Sequence, residues 1–150
     1  MEEFKKILCP VDLSEVSSKI IPYVTTLASK FDSEIHILFV VSSMEHYATF
    51  YIPHPSLNQF EQELLKGAEQ KLKEFTDEQF KDRPVTKVEV LRGDPAEEII
   101  KYSESEEIDL IVMGTHGRKG LEKVIFGSVA DQVVKNSAVP VMTVNPHRKS

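Results

Sequence analysis

The residues Leu110-Ile111-Val112-Met113 run directly into Gly114-Thr115-His116-Gly117-Arg118-Lys119-Gly120-Leu121-Glu122-Lys123-Val124-Ile125-Phe126-Gly127-Ser128. The unbroken apolar run reads as a strand with both faces buried. The glycines behind it read as a loop. Ser128 to Lys135, with Val129, Val133 and Val134 on one face, then reads as a helix. A strand that feeds a helix in this way is half of a βαβ unit.

The rest of the chain repeats that unit. Ile7-Leu8-Cys9, Ile35 to Val41, Val85 to Leu91 and Val139 to Val144 are further short runs rich in branched and apolar residues, which makes five strands in all. Between them, Phe60, Leu64, Ala68 and Leu72 recur every four residues, joined by Leu65 and Phe75, and predict a helix with an apolar stripe. Asp94-Pro95-Ala96-Glu97 sets a capping carboxylate before a proline at the first helical position, with a glutamate three residues beyond the cap. Ser14 is the expected cap of the first helix, and Pro22 signals a kink or a late start there. Strands alternating with helices imply parallel pairing through right-handed crossovers, hence a three-layer α/β/α sandwich.

Composition agrees with one such unit. The chain has 150 residues, a length suited to a single domain spanning residues 1–150. Hydrophobic residues make up 41% and charged residues 28%, which argues against wholesale disorder. The lone Cys9 rules out an internal disulfide and a four-cysteine zinc site, and its place in a strand reads as packing. A net charge of -6 speaks against a broad basic surface for nucleic acid. No apolar run approaches the ~20 residues needed to span a bilayer, and Met1-Glu2-Glu3-Phe4-Lys5-Lys6 is a poor signal peptide. The expectation is a cytoplasmic protein that touches neither nucleic acid nor membrane.

The glycine loop carries the densest chemical signal. Glycine lets backbone N–H groups approach a ligand closely. Gly127-Ser128 falls where the last helix is expected to open, so free amides, the helix dipole and a hydroxyl could hold a phosphate there. From Gly114 to Ser128, Arg118, Lys119 and Lys123 outweigh Glu122 to give a net +2, leaving -8 on the other 135 residues. A glycine-rich surface turn with solvated charges accounts for the same composition. Neither Gly-x-x-x-x-Gly-Lys-Ser/Thr nor Gly-x-Gly-x-x-Gly occurs, which disfavours a P-loop NTPase and a dinucleotide-binding dehydrogenase.

The second signal is Cys9-Pro10-Val11-Asp12 at the end of the first strand. In open α/β sheets ligands bind at the carboxyl ends of strands where strand order reverses. If that reversal lies between the first and fourth strands, this tetrapeptide and the glycine loop flank one crevice. Asp12 then either accepts hydrogen bonds from a ribose or base, helps hold a metal through water, or stabilises the turn or the start of the first helix.

The pattern Gly114-x-x-Gly117-x9-Gly127-Ser128, with Pro10-x-Asp12 and with Met113 before the loop, resembles the ATP-binding branch of the universal stress protein family. The resemblance runs from Lys5 to Val144 and includes the Gly93-Asp94-Pro95 turn and the Pro140-Val141 strand. It implies a five-stranded parallel sheet of order 3-2-1-4-5, of the adenine nucleotide α-hydrolase type, and a homodimer formed through the fifth strand. It also implies ATP, or AMP or ADP, in the crevice, with any Mg²⁺ or Mn²⁺ arriving on the phosphates. Carried over by position, Pro10, Val11 and Asp12 would lie against adenine and ribose, and Val40 would help form the adenine pocket. Met113 and Gly114 would line the ribose side. Gly117, Gly127, Ser128 and Val129 would present N–H groups and a hydroxyl to the phosphates, with His116 and Arg118 assisting.

Three functions remain open at this level. One is a nucleotide-binding regulatory or sensing protein of the stress response, acting on an unidentified downstream protein partner. Another is an enzyme at the same crevice, at most a weak ATPase or a phosphoryl- or adenylyl-transferring one. Phosphoryl transfer needs a positioned metal and an oriented nucleophile, and Asp12 and His116 are the only residues the motifs offer for those tasks. The third is a protein-interaction module without nucleotide, against which the glycines and serine weigh. The segment Ser42 to Leu57, with Met44, His46, Tyr47, Phe50, Tyr51 and His54, reads as a lid, a binding surface or a variable connection. The last strand, Val139 to Val144, would leave an apolar edge that calls for pairing. Glu104, Glu106 and Glu107 read as a solvated helix end.

Overall fold

The structure is a computed structural model that describes residues 3–42, 54–115 and 121–147, with backbone alone at 54–58 and 121–126. Most of the Ser42 to Leu57 segment, and His116, Gly117 and Arg118, lie outside the described residues.

The strands are β1 (Lys6–Pro10), β2 (Glu34–Val41), β3 (Lys87–Arg92), β4 (Leu110–Gly114) and β5 (Val141–Val144). The helices are α1 (Ile21–Phe31), α2 (His54–Gln79), α3 (Pro95–Ser105) and α4 (Leu121–Asn136), with a short 3-10 turn at Ser17–Lys19 before α1. All strands pair in parallel in the order β3-β2-β1-β4-β5. The expected class and strand order are therefore both observed.

The strands are apolar on both faces because both are covered. Ile7, Cys9, Ile35, Ile37, Leu110 and Val112 pack with Val24 and Ala28 of α1 and Leu72 of α2. The alternate residues Leu8, Leu38, Ile111 and Met113 pack with Ile99 and Tyr102 of α3 and Val129 and Val133 of α4. Truncating a core isoleucine such as Ile37 or Ile111 to alanine should cost about 2–5 kcal/mol.

The helix starts follow local chemistry, with corrections. At α3, Asp94 accepts a hydrogen bond from the Glu97 amide at 3.0 Å and Pro95 takes the first helical position, as expected. Gly93 before it has φ +148, and a Cβ there would come within 2.9 Å of Glu98 Cγ. Pro22 marks a late start: α1 begins at Ile21, so the proline occupies the first turn, where its missing N–H costs nothing. Ser14 does not cap α1, whose N-cap is Ile20 with no side-chain bond. The fourth helix opens at Leu121 and not at Ser128. β3 and β5 each begin two residues later than expected, at Lys87 and Val141.

In α2 the apolar stripe is only half used. Ala68 and Leu72 are buried, while Phe60 and Leu64 are 39% and 37% exposed. At 1.5 Å per residue a helix of 26 residues is about 39 Å long, against about 26 Å for the eight-residue β2, so α2 is longer than the strands it packs against. Among the described residues, no helix is long and apolar enough to cross a membrane.

Candidate functional site

The strand order places the reversal between β1 and β4. β1 pairs with β2 along its whole length, from Lys6↔Glu34 to Pro10↔Leu38. With β4 the recorded pairs are Ile7↔Leu110 and Leu8↔Ile111, so the carboxyl ends of β1 and β4 part beyond Leu8 and Ile111. Pro10-Val11-Asp12 on one side and Met113-Gly114-Thr115 on the other therefore share the switch point, where open α/β sheets take ligands.

Beyond β1, the Val11 amide donates to the Leu38 carbonyl at 2.9 Å, which carries the strand one residue further along β2. The chain then turns sharply. Leu13 has φ +61, a left-handed conformation that L side chains resist. Asp12 Oδ1 accepts the Ser14 amide at 3.0 Å, the Ser14 hydroxyl at 2.6 Å and the Ser17 hydroxyl at 2.8 Å. The Ser17 hydroxyl also accepts the Asp12 amide at 3.4 Å. Ser14 thus gives both its donors to Asp12, and it leaves α1 uncapped because it lies six residues before the N-cap Ile20, out of reach of the helix's first amides. Ser17 carried no expectation from the sequence; the Asp-x-Ser-x-x-Ser spacing was the available signal. Among the described residues Asp12 Oδ2 has no hydrogen-bond partner, and the residue is partly exposed.

At β4 the chain stays tied to β5 until it leaves the sheet, with Gly114 paired to Val144 and the Thr115 amide donating to the Val144 carbonyl at 2.9 Å. Gly127 lies in the second turn of α4, where a Cβ would come within 3.2 Å of the Thr115 carbonyl oxygen. Its small size lets α4 approach the end of β4. The expectation that free amides at Gly127 and Ser128 open the helix is corrected, because residues this far inside α4 donate to carbonyls one turn earlier. The amides without intrahelical acceptors belong to the first turn, from Leu121.

The remaining expected residues divide by burial. Pro10, Val11, Met113, Gly114 and Val129 are buried, with Met113 at 0% exposure. Val11 packs in the core under α1 and α2, and Met113 and Val129 in the core under α3 and α4, so they belong to the two cores on either side of the sheet. Val40 is partly buried beside the α3–α4 core, and Ser128 is exposed. Burial pushes the Cys9 thiol up to about 12, so the sulfur is a packing group.

A second polar cluster sits at the other end of the sheet. His36, 5% exposed, has Nδ1 2.8 Å from the Tyr102 hydroxyl, while its Nε2 is buried without a partner. Lys87 pairs with Glu106, stands 3.8 Å from Glu89 and lies 5.9 Å from the centre of the Tyr102 ring. Glu106 is therefore not simply solvated: its hydrogen bond to Lys87 holds its carboxyl below the usual range. Among the described residues a groove of about 540 Å³ between α2 and β3, lined by Leu72, Thr76, Val88 and Val90 with charged neighbours, lies away from the switch point.

Comparison with known proteins points one way. Residues 3–145 match the universal stress protein family. Universal stress protein MJ0531 of Methanocaldococcus jannaschii is 35% identical over 149 residues, covering 97% of this chain and 85% of its own. Universal stress protein MJ0577 of the same organism is 32% identical over 157 residues, covering 94% of each chain. The solved structure of MJ0577 aligns with a TM-score of 0.79 at 30% identity, over 98% of both chains. A universal stress protein solved in complex with cAMP shares the fold at a TM-score of 0.58 and 16% identity, covering 97% of this chain and 99% of its own.

Proposed function

Because the chain belongs to the universal stress protein family, we propose that it is an ATP-binding regulatory or sensing protein of the stress response. In this reading ATP, or AMP or ADP, occupies the crevice between the ends of β1 and β4. The observation that carries it is the shared switch point, where a carboxylate held by two serines follows the end of β1, next to the strand β4 that leads into the glycine loop. An aspartate is an acceptor-only group, suited to ribose hydroxyls or the adenine amino group and unsuited to phosphate. That leaves the phosphates to the glycine loop, for which the sequence offers Gly117, Arg118 and the Ser128 hydroxyl. Any Mg²⁺ or Mn²⁺ comes with them. The universal stress protein solved with cAMP supports an adenine ligand for this fold.

The same reading makes the protein a cytoplasmic homodimer joined through β5. Supporting it, Met142 is 39% exposed on an edge strand, and such an edge is normally paired or covered.

The test is to purify the protein without added nucleotide, denature it and analyse the supernatant, then titrate ATP by calorimetry. Adenine nucleotide in the supernatant, or measurable ATP affinity, supports the reading. Neither being found overturns it.

A further inference from the structure

Asp12, Ser14 and Ser17 are joined more tightly than a surface turn requires. Three donors converge on the single oxygen Oδ1. The Ser17 hydroxyl, on a residue only 1% exposed, ties both the carboxylate and the amide of Asp12. Between them Leu13 is held at φ +61, with its side chain packed against the α1–α2 core. A leucine persists in that conformation only where its surroundings over-determine it. A turn that served stability alone would take glycine there without strain.

The consequence is an asymmetric carboxylate. Oδ1 is saturated by the protein's own donors, and Oδ2, without a partner among the described residues, is left on a partly exposed side chain at the switch point. An acceptor fixed in this way needs no reorientation when a ligand arrives, which is where pre-organisation gains affinity.

We infer that Ser17 and Ser14 are positioning residues of the nucleotide site, engaging Asp12 Oδ1 so that Oδ2 alone faces the O–H or N–H donors of the ligand. This rests on the nucleotide reading above. The donors are the ribose hydroxyls or the adenine amino group, and the serines act through Asp12 without touching the ligand.

The test is a double-mutant cycle with the full chain. ATP, 2′,3′-dideoxyATP and ITP are titrated by calorimetry into the wild type, Ser17→Ala, Asp12→Ala and the double variant, with thermal melts to verify folding. Ser17→Ala should weaken ATP binding about tenfold, the scale of a misplaced hydrogen bond to a charged group. It should also shrink the preference for ATP over dideoxyATP if Oδ2 receives ribose hydroxyls, or over ITP if it receives the amino group. In the Asp12→Ala background the same change should alter affinity less than about twofold. Equal losses in both backgrounds, unchanged discrimination, or no effect of Asp12→Ala on a wild type that binds ATP would each overturn the positioning role and leave the nucleotide reading standing. A wild type that binds no ATP overturns both. Should Ser17→Ala fail to fold, the more accessible Ser14→Ala runs the same cycle with the same outcomes.

Discussion

His36 Nδ1 lies 2.8 Å from the Tyr102 hydroxyl, linking β2 to α3 across 66 residues of sequence. Burial lowers the His36 pKa from its ordinary value, the largest of several influences. Glu34 on β2 and Glu106 at the end of α3 oppose that shift, whereas Lys6 on β1 and Lys87 on β3 add to it. The folded state thus holds the imidazole neutral at a pH where the unfolded chain binds a proton. The resulting stability is fully present above the unfolded value of about 6.5 and is lost as pH falls from there through the folded value. Urea unfolding from pH 8 to pH 5 should show an acid-side decline that His36→Leu reduces, by at most about 1.4 kcal/mol per pH unit. Parallel curves for the two proteins would refute it.

Gly127 and the Thr115 carbonyl define how closely α4 meets β4. Adding side-chain bulk must move either the helix or a carbonyl at the end of a strand tied to Val144. Gly127→Val should therefore lower stability by about 1–3 kcal/mol, the usual range for overpacking, and weaken ATP binding as well. Denaturant midpoints and calorimetry measure the two effects separately. Unchanged values of both would contradict the close approach.

Cys9 should be chemically silent in the folded protein, since it is 0% exposed and its thiol is pushed up to about 12. An aromatic disulfide reagent at pH 8 should release one equivalent of thiolate only after denaturant is added. Rapid labelling of the native protein would show that the strand opens readily.

Asp94→Ala removes the carboxylate that accepts the Glu97 amide at the start of α3. The expected loss is about 1 kcal/mol, as for other helix caps, visible as a lower urea midpoint with the slope unchanged. Asp94→Ser should recover most of it, because a serine hydroxyl caps nearly as well.

The proposed dimer makes a separate demand on β5. Met142→Lys places a charge on the exposed edge strand, a substitution that natural edges use against pairing. Sedimentation at micromolar concentration should show a dimer for the wild type and a monomer for the variant. A wild type that sediments as a monomer would refute pairing through this strand.

Periodicity was a good guide wherever neighbours within a few residues decide the outcome. The strands were legible because Ile7 to Cys9, Ile35 to Val41 and Leu110 to Met113 are apolar at successive positions, as burial on both faces requires. The α3 start was legible because a cap needs only Asp94, Pro95 and Glu97. Periodicity misled at α2, where Phe60 and Leu64 share a stripe with Leu72 and yet lie 39% and 37% exposed in its N-terminal half. At Gly127 a helix boundary and a close packing contact leave the same residue in the sequence, and only the position of Thr115 separates them.

The sequence by itself determined the kinds of element, their alternation and therefore parallel pairing, and through its spaced glycines the resemblance that carried the strand order. It also supplied Asp12 as a candidate. The tertiary structure alone decided that Ser17 rather than a helix end holds that carboxylate, that α4 starts at Leu121, and that His36 is buried against Tyr102. The physical reason is range. Capping and periodicity act over about four residues, whereas these contacts exist only once strand leaves strand, the chain turns back, and each crossover lays a helix on the sheet.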